Sequence, residues 1–90
     1  METEEYSITG YGMMAESHWR EHRPKIVREL EAQGKLEEML YDAQERTLDE
    51  MEAITARLET EQGLTVQQAH DQAWEIVRER YILLPEEDPE

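Results

Sequence analysis

Three residues in this sequence have the type and spacing for metal chemistry: His18, Glu21 and His22, within His18-Trp19-Arg20-Glu21-His22. On a helix, an i, i+4 pair sets both imidazoles on one face with a carboxylate beside them, the arrangement of an inverted zinc-protease motif. A catalytic zinc also needs a third protein ligand and a walled cleft. The one remaining histidine is His70, far along the chain. Arg20 and Arg23 beside the pair disfavour a dication, and Pro24 disturbs the helix that would carry it. The expectation is surface histidines in a basic patch, with no metal, no cofactor and no catalytic residue.

The carboxylates are the second candidate. The chain of 90 residues has a net charge of −14, with 38% hydrophobic and 36% charged residues. Such a charge repels nucleic acid and anionic membranes and attracts basic surfaces. It is unevenly spread: residues 13–35 hold five Lys/Arg against four Glu, and residues 36–62 hold nine Asp/Glu against two Arg. The candidate binding residues are Glu37, Glu38, Asp42, Glu45, Asp49, Glu50, Glu52 and Glu59. Two readings are open for them. They form a solvated helix face, partly neutralised by Arg23, Lys25 and Arg28 of a neighbouring helix. Otherwise they form a rod of carboxylates, spaced somewhat like phosphates, that occupies a basic groove of a nucleic-acid-binding protein. Trp19, Trp74, Tyr41 and Tyr81 could serve as binding anchors, but in a chain without Phe they are expected in the core. No Gly-rich phosphate loop, ordered Ser/His/Asp set or basic face is present, and carboxylates without a pocket to shift their pKa are only charges. The expectation is a protein that is not an enzyme.

Helices must position these groups. Leu36, Leu40, Ala43, Thr47, Met51, Ile54 and Leu58 follow steps of 4, 3, 4, 4, 3 and 4, so they keep to one side of a straight helix over 36–62, about 40 Å long. Met39, Leu48 and Ala56 widen that stripe. Thr65 and Gln68 form a capping box, with Leu64 placed for a hydrophobic staple to Ala69. The last helix then runs from Val66 to about Tyr81, with Val66, Ala69, Ala73, Ile76 and Val77 on one side, and Pro85 stops it. Upstream, Met13, Met14, Trp19, Ile26, Val27 and Leu30 give an apolar side to residues 13–33. Pro24 makes this stretch either two helices or one kinked helix, since proline suits a first helical position and biases its predecessor away from helix. Gly34 ends it.

Length matching gives the fold class: all-α, a small antiparallel bundle of three to four helices with one long central helix. Residues 1–12, with Gly10 and Gly12, read as an irregular lead-in, 13–84 as the helical bundle domain, and 85–90 as a disordered acidic tail. The chain has no cysteine, which excludes disulfides and thiolate metal sites. It has no run of about 20 apolar residues for a membrane span. The acidic start Met1-Glu2-Thr3-Glu4-Glu5 is unlike a signal peptide, giving a cytoplasmic expectation.

At Tyr11-Gly12, Glu21-His22-Arg23-Pro24, Leu30 and Gly34-Lys35-Leu36, the sequence resembles the transposon-encoded TnpV family. Ala73-Trp74-Glu75-Ile76-Val77 is similar to that family's C-terminal helix. The resemblance spans roughly residues 11–82 and implies residence on a mobile genetic element. It carries over no catalytic residue. Departures are a shorter N-terminus, a shorter segment before the last helix, and the extra Leu84-Pro85 and acidic tail.

The functional expectation is therefore an acidic helical interaction protein of a mobile element. It would bind a partner protein with a basic surface, itself a nucleic-acid-binding protein if the chain acts as a nucleic-acid mimic or inhibitor, with no direct contact to nucleic acid or membrane. The alternative is a structural or regulatory homodimer pairing through the apolar stripe of the long helix.

Overall fold

The computed structural model describes residues 7–85. Among these, four helices follow in order: α1 (Gly10–His22), α2 (Pro24–Ala32), α3 (Leu36–Gln62) and α4 (Val66–Tyr81). Pro24 breaks the first segment instead of kinking it. Arg23 leaves helical geometry at φ −136° and ψ 55°, and Pro24 opens α2 at its first position, where its missing N–H costs nothing. At the other end of α2, Gly34 takes φ +70°. The N–H of Gly34 donates to Glu31 O at 3.0 Å and that of Lys35 to Leu30 O at 2.8 Å, the paired closing bonds of a Schellman turn.

The seven stripe residues of α3, from Leu36 to Leu58, are all buried. Thr47 is fully buried because its hydroxyl donates to Ala43 O at 2.7 Å, leaving no orphan polar group. Gly63, at φ +64°, ends α3. The capping box follows as expected: Gln68 N–H donates to Thr65 Oγ1 at 3.2 Å and Thr65 N–H to Gln68 Oε1 at 3.1 Å. Ala69, Ala73 and Val77, all fully buried, press α4 onto Met51, Ile54 and Leu58, and Leu64 packs on the same cluster. A second cluster joins Ala15, Trp19, Val27, Leu36, Leu40, Ala43 and Ile82.

Several side chains fall elsewhere than their sequence pattern places them. Met39, Leu48 and Ala56 are exposed, so the α3 stripe is narrower than its sequence allows. Val66 and Ile76 leave the core for solvent at 67% and 42% exposure, because α4 needs only the small residues at 69 and 73 for close approach. Met13 and Met14 are exposed too. The lead-in is shorter than expected: Ser7 to Thr9 are irregular, and α1 starts at Gly10. Residues 1–6 and the acidic tail beyond Pro85 lie outside the described residues.

The molecule is a slab, with Cα extents of 47 × 41 × 14 Å and a radius of gyration of 15.3 Å, against about 12 Å for a compact chain of this length. Helices in a slab keep one side in solvent, which is why so many large apolar residues remain exposed. The α3 stripe is spent inside the protomer on α1, α2 and α4. Met39 and Leu48 are the large apolar residues of α3 left exposed by that packing.

Candidate functional site

Buried residues fix how α3 is turned, and that decides what its carboxylates can reach. With 3.6 residues per turn, Glu38, Asp42, Glu45, Asp49, Glu52 and Glu59 fall in a band about 100° wide, opposite the buried stripe. Their steps are 4, 3, 4, 3 and 7, and Ala56 occupies the place that would complete the repeat. The outer face of α3 is therefore an acidic copy of a helical seam. Glu38, Asp42, Asp49 and Glu52 are exposed, and Glu45 and Glu59 are half-buried. Among the described residues, only Asp42 of the six carries an ion pair, to Arg46 at 2.9 Å on the same helix. That hydrogen bond first, and its charge second, hold the Arg46 guanidinium above its usual pKa.

Glu37 and Glu50 leave the band. Glu37, together with Glu38 at the start of the band, lines a cavity of about 770 Å³ under α1 and the α2–α3 turn, shared with Glu16, Arg20 and Glu31. Arg20 there is held by Glu16 at 2.9 Å and Glu31 at 3.1 Å, so the cavity is net acidic. Glu50 faces α4, where the Tyr81 hydroxyl and Arg80 both donate to its carboxylate. Arg46 and Arg80 pair with α3 acids, and Arg23, expected to neutralise them, reaches Pro85 O at 3.0 Å.

The Tyr81 hydrogen bond first, then Arg80, lower the Glu50 pKa against the opposing effect of partial burial. A carboxyl with a lower pKa folded than unfolded adds stability that is complete above the unfolded pKa and is lost as pH falls through the folded value. Glu50→Gln should therefore lose less stability than wild type on moving from about pH 6 to about pH 3, the carboxyl titration range. Urea unfolding at both pH values checks this, and equal losses in the two proteins would contradict it.

The histidine pair has another use. The His18 and His22 rings lie 4.3 Å apart, and His18 Nε2 is 2.9 Å from Leu84 O. Trp19 Nε1 donates to Ile82 O at 3.1 Å. With Arg23, these side chains tie the segment 82–85 across α1 as a strap. His70 is exposed on α4, 3.9 Å from Asp71. Among the described residues, no group of three His, Asp or Glu converges as a metal site. Trp19 is buried, and Trp74, Tyr81 and Tyr41 are half-buried; Trp74 stacks on Tyr11 at 5.3 Å.

Two recesses beside the acidic band were not visible in the sequence. One, of about 250 Å³, is lined by Thr9, Gly10, Tyr11, Met14 and Leu48. The other, of about 360 Å³, is lined by Met51, Glu52, Thr55, Ala56, Glu59 and His70. The exposed Leu48 was the available signal, hidden because it read as a widening of the buried stripe.

Fold and surface together define a small all-α protein whose long helix buries one seam and presents an acidic one. The family model of transposon-encoded protein TnpV matches residues 1–83, and the chain belongs to that family. No curated protein and no solved structure matches it. Among the described residues, no helix is long and apolar enough to cross a membrane.

Proposed function

We propose that this transposon-encoded chain is a non-enzymatic interaction protein that binds a basic surface of a partner protein through the outer face of α3. The observation that carries the reading is the acidic band itself: six carboxylates at helical-seam spacing, five of them without an ion pair among the described residues. A face meant only for solubility gains from mixed charges, which lower self-repulsion. Here Arg46 is the one cation within the span of the band from 38 to 52. Unpaired like charges on a rigid helix repel one another, and a basic partner relieves that repulsion on binding. A basic groove that normally holds nucleic acid is one partner of this kind, which would make the chain a mimic or inhibitor.

The test compares wild type with the triple variant Glu45→Lys, Asp49→Lys, Glu52→Lys as bait in host lysate, at low and at molar salt. Basic proteins should be held by wild type at low salt, released at high salt, and not held by the variant. Exposed charges are screened beyond about 3 Å at molar ionic strength. A retained set that ignores both salt and charge reversal would refute the reading.

A further inference from the structure

On one side of the acidic band, exposed apolar residues open into a recess. Leu48 is 45% exposed and Met14 44%, and both open into the recess beside Tyr11. Met51 and Glu52 stand three and four residues beyond Leu48, so they are its neighbours on the helix surface, and they begin the second recess. The two recesses therefore follow one another along the same side of α3. The N-terminal ends of α1 and α4, through Met14 and His70, form the far wall. On the near side Glu52 and Glu59 line the second recess, and Glu45, seven residues before Glu52, neighbours Leu48 on the helix surface. From Glu45 to Glu59 the trough is about 21 Å long, the length of a four-turn helix.

We infer that this trough is a docking site for an amphipathic basic α-helix, which sets an apolar anchor between Met14 and Leu48 and lysines or arginines against Glu45, Glu52 and Glu59. This rests on the basic-partner reading above and narrows it to a class of ligand. Charge decides the occupant. A second copy of this chain, with its net −14, would bring acid against acid. Nucleic acid would be repelled equally. A helix with basic residues at a seven-residue repeat matches the near side in both sign and spacing, and its apolar stripe meets the recesses. Methionine suits such a surface because its unbranched side chain adapts to the incoming anchor.

The probe is an amidated peptide of about 15 residues made only of leucine and lysine, ordered so that leucines form one helical stripe. Its control is an isomer of the same composition with the stripe scrambled. Titration at near-physiological salt should give about tenfold or tighter binding for the striped peptide, the change that burying one leucine-sized anchor brings. Methyl resonances of Met14 and Met51 should move, while that of Met39, exposed on the other side of α3, stays in place. Leu48→Glu should reduce the striped peptide to the affinity of its isomer without changing the far-UV dichroism, since Leu48 is exposed. Equal affinity of the two peptides, or a shift at Met39 in place of Met14, would overturn the docking site and leave the basic-partner reading standing. Failure of both peptides to bind even at low salt would remove both.

Discussion

Replacing Ile82 by alanine should cost about 2–5 kcal/mol of folding stability, the range for truncating a large aliphatic side chain in a packed core. Ile82 has no solvent exposure, although it lies beyond the end of α4. The helix ends because the chain folds over at that point: Leu83 N–H donates to Arg78 O at 2.7 Å, a bond that spans five residues. This turn drives Ile82 into the cluster formed by Ala15, Trp19, Val27, Leu36, Leu40 and Ala43. Its carbonyl accepts the indole N–H of Trp19, so one residue fastens α4 to α1 by both side chain and backbone. The slab gives the cavity little chance to close, because thin layers have few neighbours able to move in. Urea unfolding followed by far-UV dichroism measures the loss, and Trp19 fluorescence should shift to the red as its pocket opens. A cost below about 1 kcal/mol, within the range of surface substitutions, would show that the strap is not part of the core.

Sequence patterns carried the helices well where one strong signal acted alone. The stripe of α3 is legible because seven residues repeat it, and the Thr65–Gln68 box because two side chains and two backbone groups satisfy each other locally. Ile82 was not legible: no periodicity extends to it, and its burial depends on Trp19, more than sixty residues earlier. Val66 and Ile76 misled for a related reason. Their apolar character fits the α4 side, but the approach of α4 to α3 is set by Ala69 and Ala73, and the larger residues are left at the rim. For the candidate surface, the carboxylates could be named from sequence, and the band they form could not, because its boundaries follow from which stripe is buried. Glu50 shows the difference: it belongs to the acidic set by composition and to the α3–α4 contact by position.

Gly12 illustrates the same limit and gives the second large prediction. A pair of glycines at positions 10 and 12 reads as a sign of irregular chain, yet both are in the first turn of α1. Alanine in place of glycine within a helix normally gains about 1 kcal/mol. At Gly12 a Cβ would lie 2.6 Å from Gln44 Oε1 and 2.6 Å from Ile8 Cγ2, far inside contact distance. Gln44 has little freedom to withdraw: it is 3% exposed, its Oε1 accepts from Thr9 N–H at 2.6 Å, and its Nε2 donates to Ser7 O at 2.8 Å. Moving the amide would leave the buried Gln44 oxygen and nitrogen without their partners, at about 1–3 kcal/mol for an unsatisfied buried group. The lost bonds outweigh the helical gain, so Gly12→Ala should destabilise by about 1–4 kcal/mol instead of stabilising. The double variant Gly12→Ala, Gln44→Ala identifies the cause. If the clash with Gln44 carries the cost, the double variant should lose less than the sum of the two single ones. Strict additivity would place the cost in the Ile8 contact and leave Gln44 as a pin for the N-terminal segment alone. A stabilised Gly12→Ala would mean that α1 does not approach α3 as closely as this packing requires.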